Sequence, residues 1–220
     1  MSSLTREERV VIENLSSLTR ILEDNNIHFW LHAGTLLGYI RSGKKHLLTK
    51  DLDVDLLIWE ESFKGLLEIV SELRERYTVQ VYKDKITIEA RGFNGSIGCY
   101  RAEGPLAIRY TIAIKNRFGS LLYRIILRLK RRALIHFLLW LGYVAKAVHP
   151  SKKMIDLKYF KNLKKINLFG VSINIPADTV GYLEFKYGRG WKTPIDAEDW
   201  ENDTVESHYK RLETFKNLSW

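Results

Sequence analysis

The chain has 220 residues, 45% of them hydrophobic and 28% charged, enough apolar material for a buried core and a composition that argues against disorder. One cysteine, Cys99, excludes an internal disulfide and a cysteine-rich zinc site and suits a reducing compartment. The net charge of +9 is concentrated: residues 104–155 carry eleven Lys or Arg and no Asp or Glu, so an anionic partner is expected to meet the chain there.

The N-terminus shows no basic flank leading into an apolar run, so no secretory leader is expected, and a cytoplasmic location is. Val11, Leu15, Leu18 and Leu22 recur at helical spacing, which predicts an amphipathic helix from about Thr5 to Asp24, stopped by Asn25 and Asn26. A short strand is expected over Ile27–His32, then a Gly34–Thr35 turn into a brief helix ending near Gly43. Asp53–Trp59 reads as a strand and Ser62–Tyr77 as a helix. Strand-like runs follow at Thr78–Tyr82, Lys85–Arg91, Ser96–Arg101 and Leu106–Ile114, separated by turn residues. Phe118–Val148 reads as one or two helices ending at Pro150. A helical run is expected near Met154–Leu163, a strand pair around Ile166–Ile175, a helix over Pro176–Tyr187, and a helical tail from Asp203. The order is mixed α and β.

The chemistry is expected near the front. In a strand, Asp51, Asp53 and Asp55 project to one face at intervals of about 7 Å. Like charges in such a row repel unless a cation neutralises them, and a hard divalent ion binds carboxylate and phosphate oxygens together. Asp53 and Asp55 are therefore candidate metal ligands. Upstream, Gly34 permits close backbone approach, and the amides of Thr35 and Leu36 open a helix whose N-terminus favours phosphate. A calcium-binding EF-hand loop is excluded, because Leu56 and Ser62 stand where Gly and Glu are required. The histidines lack zinc-ligand spacing; His32 borders the site and is expected in a core or supporting role.

The stretch Trp30–Leu57 resembles the core of the LicD/fukutin family of the nucleotidyltransferase superfamily, with Gly34, Thr35, Leu36, Leu37, Gly38, Arg41, Asp51, Asp53 and Asp55 on matching positions. A second block, Ile175–Pro176, Tyr182–Leu183, Tyr187–Gly188, Trp191 and Pro194, is similar to that family's C-terminal end. Three positions depart from the pattern. Ala33 stands where Gly is common, Lys50 where Trp is usual, and Gly98 where a later-strand Asp is often found. Glu89 is the candidate substitute, since Ile86, Ile88 and Ala90 take the other face of its strand.

The resemblance implies an α+β fold, a nucleotidyltransferase-like mixed sheet flanked by helices with a basic apolar helical insert. It divides the chain into a core over 1–116, an insert over 117–153 and a segment over 154–220 that completes the same domain. It also implies transfer of a phospho-alcohol, of phosphocholine or phospho-alditol type, from a nucleotide-diphospho donor, often CDP-linked, to a glycan or lipid-linked glycan hydroxyl. Asp53 and Asp55 would bind Mg2+ or Mn2+, Thr35 and nearby amides a phosphate oxygen, and Arg41 the leaving nucleotide. Asp51 or Glu89 would take the proton of the attacking hydroxyl. Two other readings stand beside it: nucleotidyl transfer to RNA, protein or a small molecule, and a non-catalytic nucleic-acid-binding protein. The latter is disfavoured because residues 118–153 alternate Leu and Ile with Arg rather than interleaving aromatic with basic residues. That pattern suits peripheral contact with an anionic membrane, or else packing of the leucines in the protein's own core or a dimer interface.

Overall fold

The computed structural model describes residues 5–42, 53–114, 117–128, 132–193 and 209–211. Helix α1 (Arg6–Asp24) buries Val11, Leu15, Leu18 and Leu22 almost completely, as the spacing predicted. Its end is set by Asn26, whose φ of 55° lets the Ile27 amide donate to the Leu22 carbonyl at 2.8 Å. Strand β1 (Phe29–Leu31) and helix α2 (Ala33–Ser42) follow, then β2 (Asp53–Trp59).

After a 3-10 turn over Glu60–Ser62, the expected helix appears as two short pieces, α3 (Phe63–Glu68) and α4 (Val70–Arg74), broken at Ile69. Next come β3 (Thr78–Val81), β4 (Lys85–Ala90), β5 (Phe93–Glu103) and β6 (Leu106–Ile114). Helices α5 (Arg117–Arg128) and α6 (Arg132–Val144) form a hairpin before β7 (Val148–Asp156). The remainder is α7 (Lys158–Lys161), β8 (Leu163–Leu168), β9 (Val171–Pro176), α8 (Thr179–Tyr187) and β10 (Tyr209–Arg211).

Two expectations in this half are corrected. Met154–Leu163 is not one helix: Leu106–Ile114 pairs with Val148–Asp156 over its whole length, so β pairing claims Met154–Asp156 and leaves one helical turn. In the tail, Tyr209–Arg211 pairs with Ser151–Lys153 as an edge strand; the other residues expected to be helical there lie outside the described ones.

The main sheet runs β1-β2-β5-β6-β7-β10, with β3 and β4 joined through β5. β2 and β5 are parallel and the other pairs antiparallel, which makes the sheet mixed. Strand β5 forks. Residues 93–98 pair with β4, whereas Arg101–Glu103 pair with β6 on the same side. One face of the β2–β5–β4 part is apolar: Val54, Leu56, Ile58, Ile97, Ile86 and Ile88 are all buried, against α1 among others. The opposite face starts polar, at the end where Asp53 and Asp55 stand.

Candidate active site

Register brings the acidic residues into rows. Asp55 lies beside Ser96 on β5, which lies beside Thr87 on β4; Asp53 lies beside Asn94, which lies beside Glu89. Laterally paired residues share a face, so Asp53, Asp55, Asn94, Ser96, Thr87 and Glu89 all belong to one surface. Ile86 and Ile88 are buried and Glu89 is exposed, as the strand alternation predicted. Glu89 is two strands from Asp53, or about 10 Å between backbones. Asp51 lies outside the described residues, as does Lys50; for Asp53 the backbone alone is described.

Asp55 is fixed from three sides. Its amide donates to Thr35 Oγ1 at 2.8 Å, its carbonyl accepts from the His32 amide at 3.0 Å, and its Oδ1 accepts from Ser96 Oγ at 2.7 Å. The Gly-Thr turn and the Asp strand, read separately in the sequence, are thus joined by hydrogen bonds. Thr35 is buried and holds Asp55 in place. Among the described residues no atom lies within 4 Å of where a Cβ on Gly34 would stand, so they leave its backbone open to a ligand. Arg41 is farther along α2, about 10 Å up the helix axis from Gly34, and its Nε has no partner among the described residues.

His32 is buried, and its Nδ1 shares a hydrogen bond of 2.5 Å with the Tyr182 hydroxyl on α8. Burial, reinforced by Lys186, Arg109 and Lys153, holds the imidazole pKa well below the usual histidine range, so the ring is neutral. Burial likewise raises the Tyr182 hydroxyl, which also accepts from the Ala33 amide. His32 therefore ties the β1–α2 turn to the C-terminal block, the supporting role expected of it.

The structure changes the reading of Gly98. It pairs with Leu57, two residues beyond Asp55, so the position beside Asp55 belongs to Ser96. Gly98 instead makes room for a cation: a Cβ there would stand 2.8 Å from a terminal nitrogen of Arg109. Arg109 sits at the fork of β5, its Nε 2.5 Å from Asp84 Oδ2, and pairs across β6–β7 with Lys153. Burial and the Arg109 charge lower the Lys153 pKa to about 8, against the pull of Asp84 and Asp55. These two cations were missed in the sequence, where they are single basic residues on separate strands. Only the β6–β7 register places them together near Asp55. A shallow cleft lined by Asp84, Arg101, Arg109 and Tyr110 opens at the fork, beside Arg109 rather than over Asp55. Cys99 also borders it, but burial pushes its thiol up to about 12, so it is no nucleophile.

The donors on this face are all oxygens, and among the described residues no cluster of three or more His, Cys, Asp or Glu forms a ready-made metal cage. Carboxylates on alternate residues, with a hydroxyl beside one of them, fit a hard divalent ion that draws further oxygens from its substrate.

Residues 26–97 match the family model described as LicD/FKTN/FKRP, nucleotidyltransferase domain, so this segment is similar to that family. The chain is 23% identical over 195 residues to a protein of Mus musculus named ribitol-5-phosphate transferase FKTN, covering 86% of this chain and 35% of that protein. It thus spans about a third of the length of this curated relative. Similar solved structures include the lincosamide antibiotic adenylyltransferase LnuA, with a TM-score of 0.46 at 9% identity over 91% of this chain and 95% of that one. Another is the antibiotic-resistance factor ANT(2'')-Ia, with a TM-score of 0.35 at 17% identity over 44% and 50%.

Proposed function

We propose that the protein transfers a phospho-alcohol from a nucleotide-diphospho donor, CDP-linked in type, to a glycan hydroxyl. The observation that carries the reading is the anchoring of Asp55 by Thr35 and Ser96 inside the segment that matches the LicD/FKTN/FKRP model. In the reaction the acceptor oxygen forms a bond to the phosphorus bearing the alcohol. The bond from that phosphorus to the bridging oxygen breaks, and a nucleoside monophosphate leaves.

Asp53 and Asp55 are the residues to hold Mg2+ or Mn2+, which when bound neutralises charge on the donor's diphosphate. Thr35 and Ser96 keep Asp55 in one orientation, so that its carboxylate need not reorganise as charge develops. The open backbone at Gly34 and the amides opening α2 receive a phosphate oxygen. Arg109 and Lys153 supply positive charge on the β6–β7 side, where a second phosphate oxygen can be bound. Arg41, farther along α2, is assigned to the nucleotide end. Glu89, or Asp51, takes the acceptor's proton.

The test is product analysis with CDP-linked alcohols and a glycan acceptor, with and without Mg2+. An acceptor that gains the phospho-alcohol while CMP is released supports the reading. An acceptor that gains the nucleotide itself overturns it in favour of nucleotidyl transfer.

A further inference from the structure

We propose that the α5–α6 hairpin is a docking surface for an anionic lipid membrane. The hairpin is inserted between β6 and β7 and packs on its own ribbon through a narrow stripe, in which Leu122, Ile126 and Leu139 are buried. Gly142 completes the stripe, for a Cβ there would meet Val148 Cγ2 at 2.8 Å. Several other described side chains of both helices are exposed. Phe118, Leu121 and Ile125 are 46%, 57% and 44% exposed on α5, and Phe137, Trp140 and Val144 are 54%, 55% and 58% exposed on α6. These spacings of three, four and seven keep each set on one helix face. Phe137 and Trp140 stack, with ring centroids 6.3 Å apart. Elsewhere among the described residues, large exposed apolar side chains occur singly, as at Leu67, Val81 and Val180. A contiguous apolar face of this kind marks an interaction site.

Charge decides the occupant. The hairpin lies within the 52-residue stretch that has eleven Lys or Arg and no acid, so the partner must tolerate or want dense positive charge. A second copy would set two such stretches against each other, with nothing acidic to separate them. A nucleic acid would want aromatic rings among the cations, whereas here Phe137 and Trp140 stand among aliphatic residues. An anionic bilayer satisfies both features, since acyl chains take the apolar face and headgroups the basic residues. No helix among the described residues is long and apolar enough to cross a membrane. The hairpin therefore lies in the interface, where the 13 residues of α6 extend about 20 Å.

The ribbon links this surface to the candidate site. Ile114 pairs with Val148 beside the hairpin, and Arg109 pairs with Lys153 five residues along, about 17 Å away. A docked hairpin would hold those cations at a fixed height above the headgroups, within reach of an acceptor carried on lipid. That last consequence rests on the proposed transferase reading; the docking does not.

The test uses the full chain with vesicles of phosphatidylcholine alone or with added phosphatidylglycerol, followed by co-sedimentation and by tryptophan quenching with brominated acyl chains. Binding should appear with the anionic lipid, weaken with salt, and be accompanied by quenching that Trp140→Phe reduces. The triple variant Leu121→Ser, Phe137→Ser, Trp140→Ser should lower partitioning by at least about tenfold, since each change removes a large exposed apolar side chain. An unchanged thermal midpoint would show that this variant folds. Asp55→Asn should bind vesicles like the wild type, which separates failure of docking from failure of the transferase reading. Recovery of the wild type in the supernatant with anionic vesicles at low salt would overturn the proposal. If the same sample sediments as a dimer that the triple variant dissociates, the face belongs to a second copy.

Discussion

The polar face of β2–β5–β4 and the α5–α6 hairpin place charged and apolar groups in opposite ways. On the sheet, Asp55 is held by Thr35, His32 and Ser96, each through a defined hydrogen bond. On the hairpin, large apolar side chains such as Leu121 and Trp140 face outward and are more than half exposed. A fixed carboxylate suits chemistry, because the geometry is set before substrate arrives. An uncovered apolar face suits association, because burial rewards any surface that covers it. The contrast is sharp enough to break: changes on the sheet should alter turnover and leave vesicle binding alone, and changes on the hairpin should do the reverse.

The largest effect is expected at Asp55. Asp55→Asn keeps the side-chain volume and removes a charge, so turnover should fall by at least about 10³-fold while the thermal midpoint barely moves. Steady-state transfer at limiting Mg2+ checks it, and a folded variant with wild-type turnover would remove Asp55 from the chemistry. Next comes Glu89→Gln. If Glu89 accepts the acceptor's proton across the row it shares with Asn94 and Asp53, turnover should fall by about 10²-fold or more. A change under about threefold, far below what a general base supplies, would leave Glu89 a solvated edge residue and point to Asp51.

Much of this was legible in the sequence because local pattern and tertiary demand agree there. The helical stripe of α1 and the alternation around Glu89 each express one periodicity, and the fold keeps them, whereas Gly34 and Thr35, read as a turn, lie within the first turn of α2. Met154–Leu163 failed because pairing of Met154–Asp156 with Leu106–Ile108, far upstream in the chain, outweighed local helix preference. The position of Ser96 beside Asp55, and the meeting of Arg109 with Lys153, depend on strand register, which a linear reading of separate strands does not contain. Gly98 misled for the same reason: counted along the chain it replaces a carboxylate, and in register it vacates space for Arg109.

Two titrations sharpen the sheet side of the contrast. Lys153, lowered to about 8, is charged at neutral pH and loses its proton just above it. Affinity for inorganic pyrophosphate, followed by calorimetry, should therefore decline as pH rises through about 8, and Lys153→Met should lower the neutral-pH affinity by about tenfold or more and remove that decline. A flat profile in the wild type would detach Lys153 from the anion. His32 acts on stability with the opposite sign. Its folded-state pKa is depressed below the unfolded value of about 6.5, so below that pH the unfolded chain takes up a proton that the native ring refuses. Its contribution is complete above about 6.5 and is lost as pH falls toward the folded value, by at most about 1.4 kcal/mol per pH unit. Denaturant midpoints for wild type and His32→Gln should diverge at neutral pH and converge on acidification. Parallel curves would show that His32 does not carry the effect.

The smallest expected effect concerns Ala33, where the sequence departs from the glycine common in similar proteins. Ala33 opens α2 with a φ of 47°, in the left-handed region where a Cβ crowds the backbone. Holding an L-residue there costs roughly 1–2 kcal/mol. Ala33→Gly removes that strain but gives the unfolded chain more freedom, which costs about 0.4–1 kcal/mol. The first quantity is larger, so the variant should be more stable by about 0.5–1 kcal/mol, read as a shift in denaturant midpoint at unchanged slope. Because the Tyr182 hydroxyl is hydrogen-bonded both to the Ala33 amide and to His32, the turn is already fixed by contacts that glycine preserves. Turnover should accordingly stay within about twofold, since no group that touches the reacting phosphate is altered. Should Ala33→Gly instead destabilise the protein, the methyl group must be contributing packing that outweighs its backbone strain. Should turnover fall at unchanged stability, the rigidity that Ala33 imposes on the turn would be part of how Thr35 presents Asp55 to the metal.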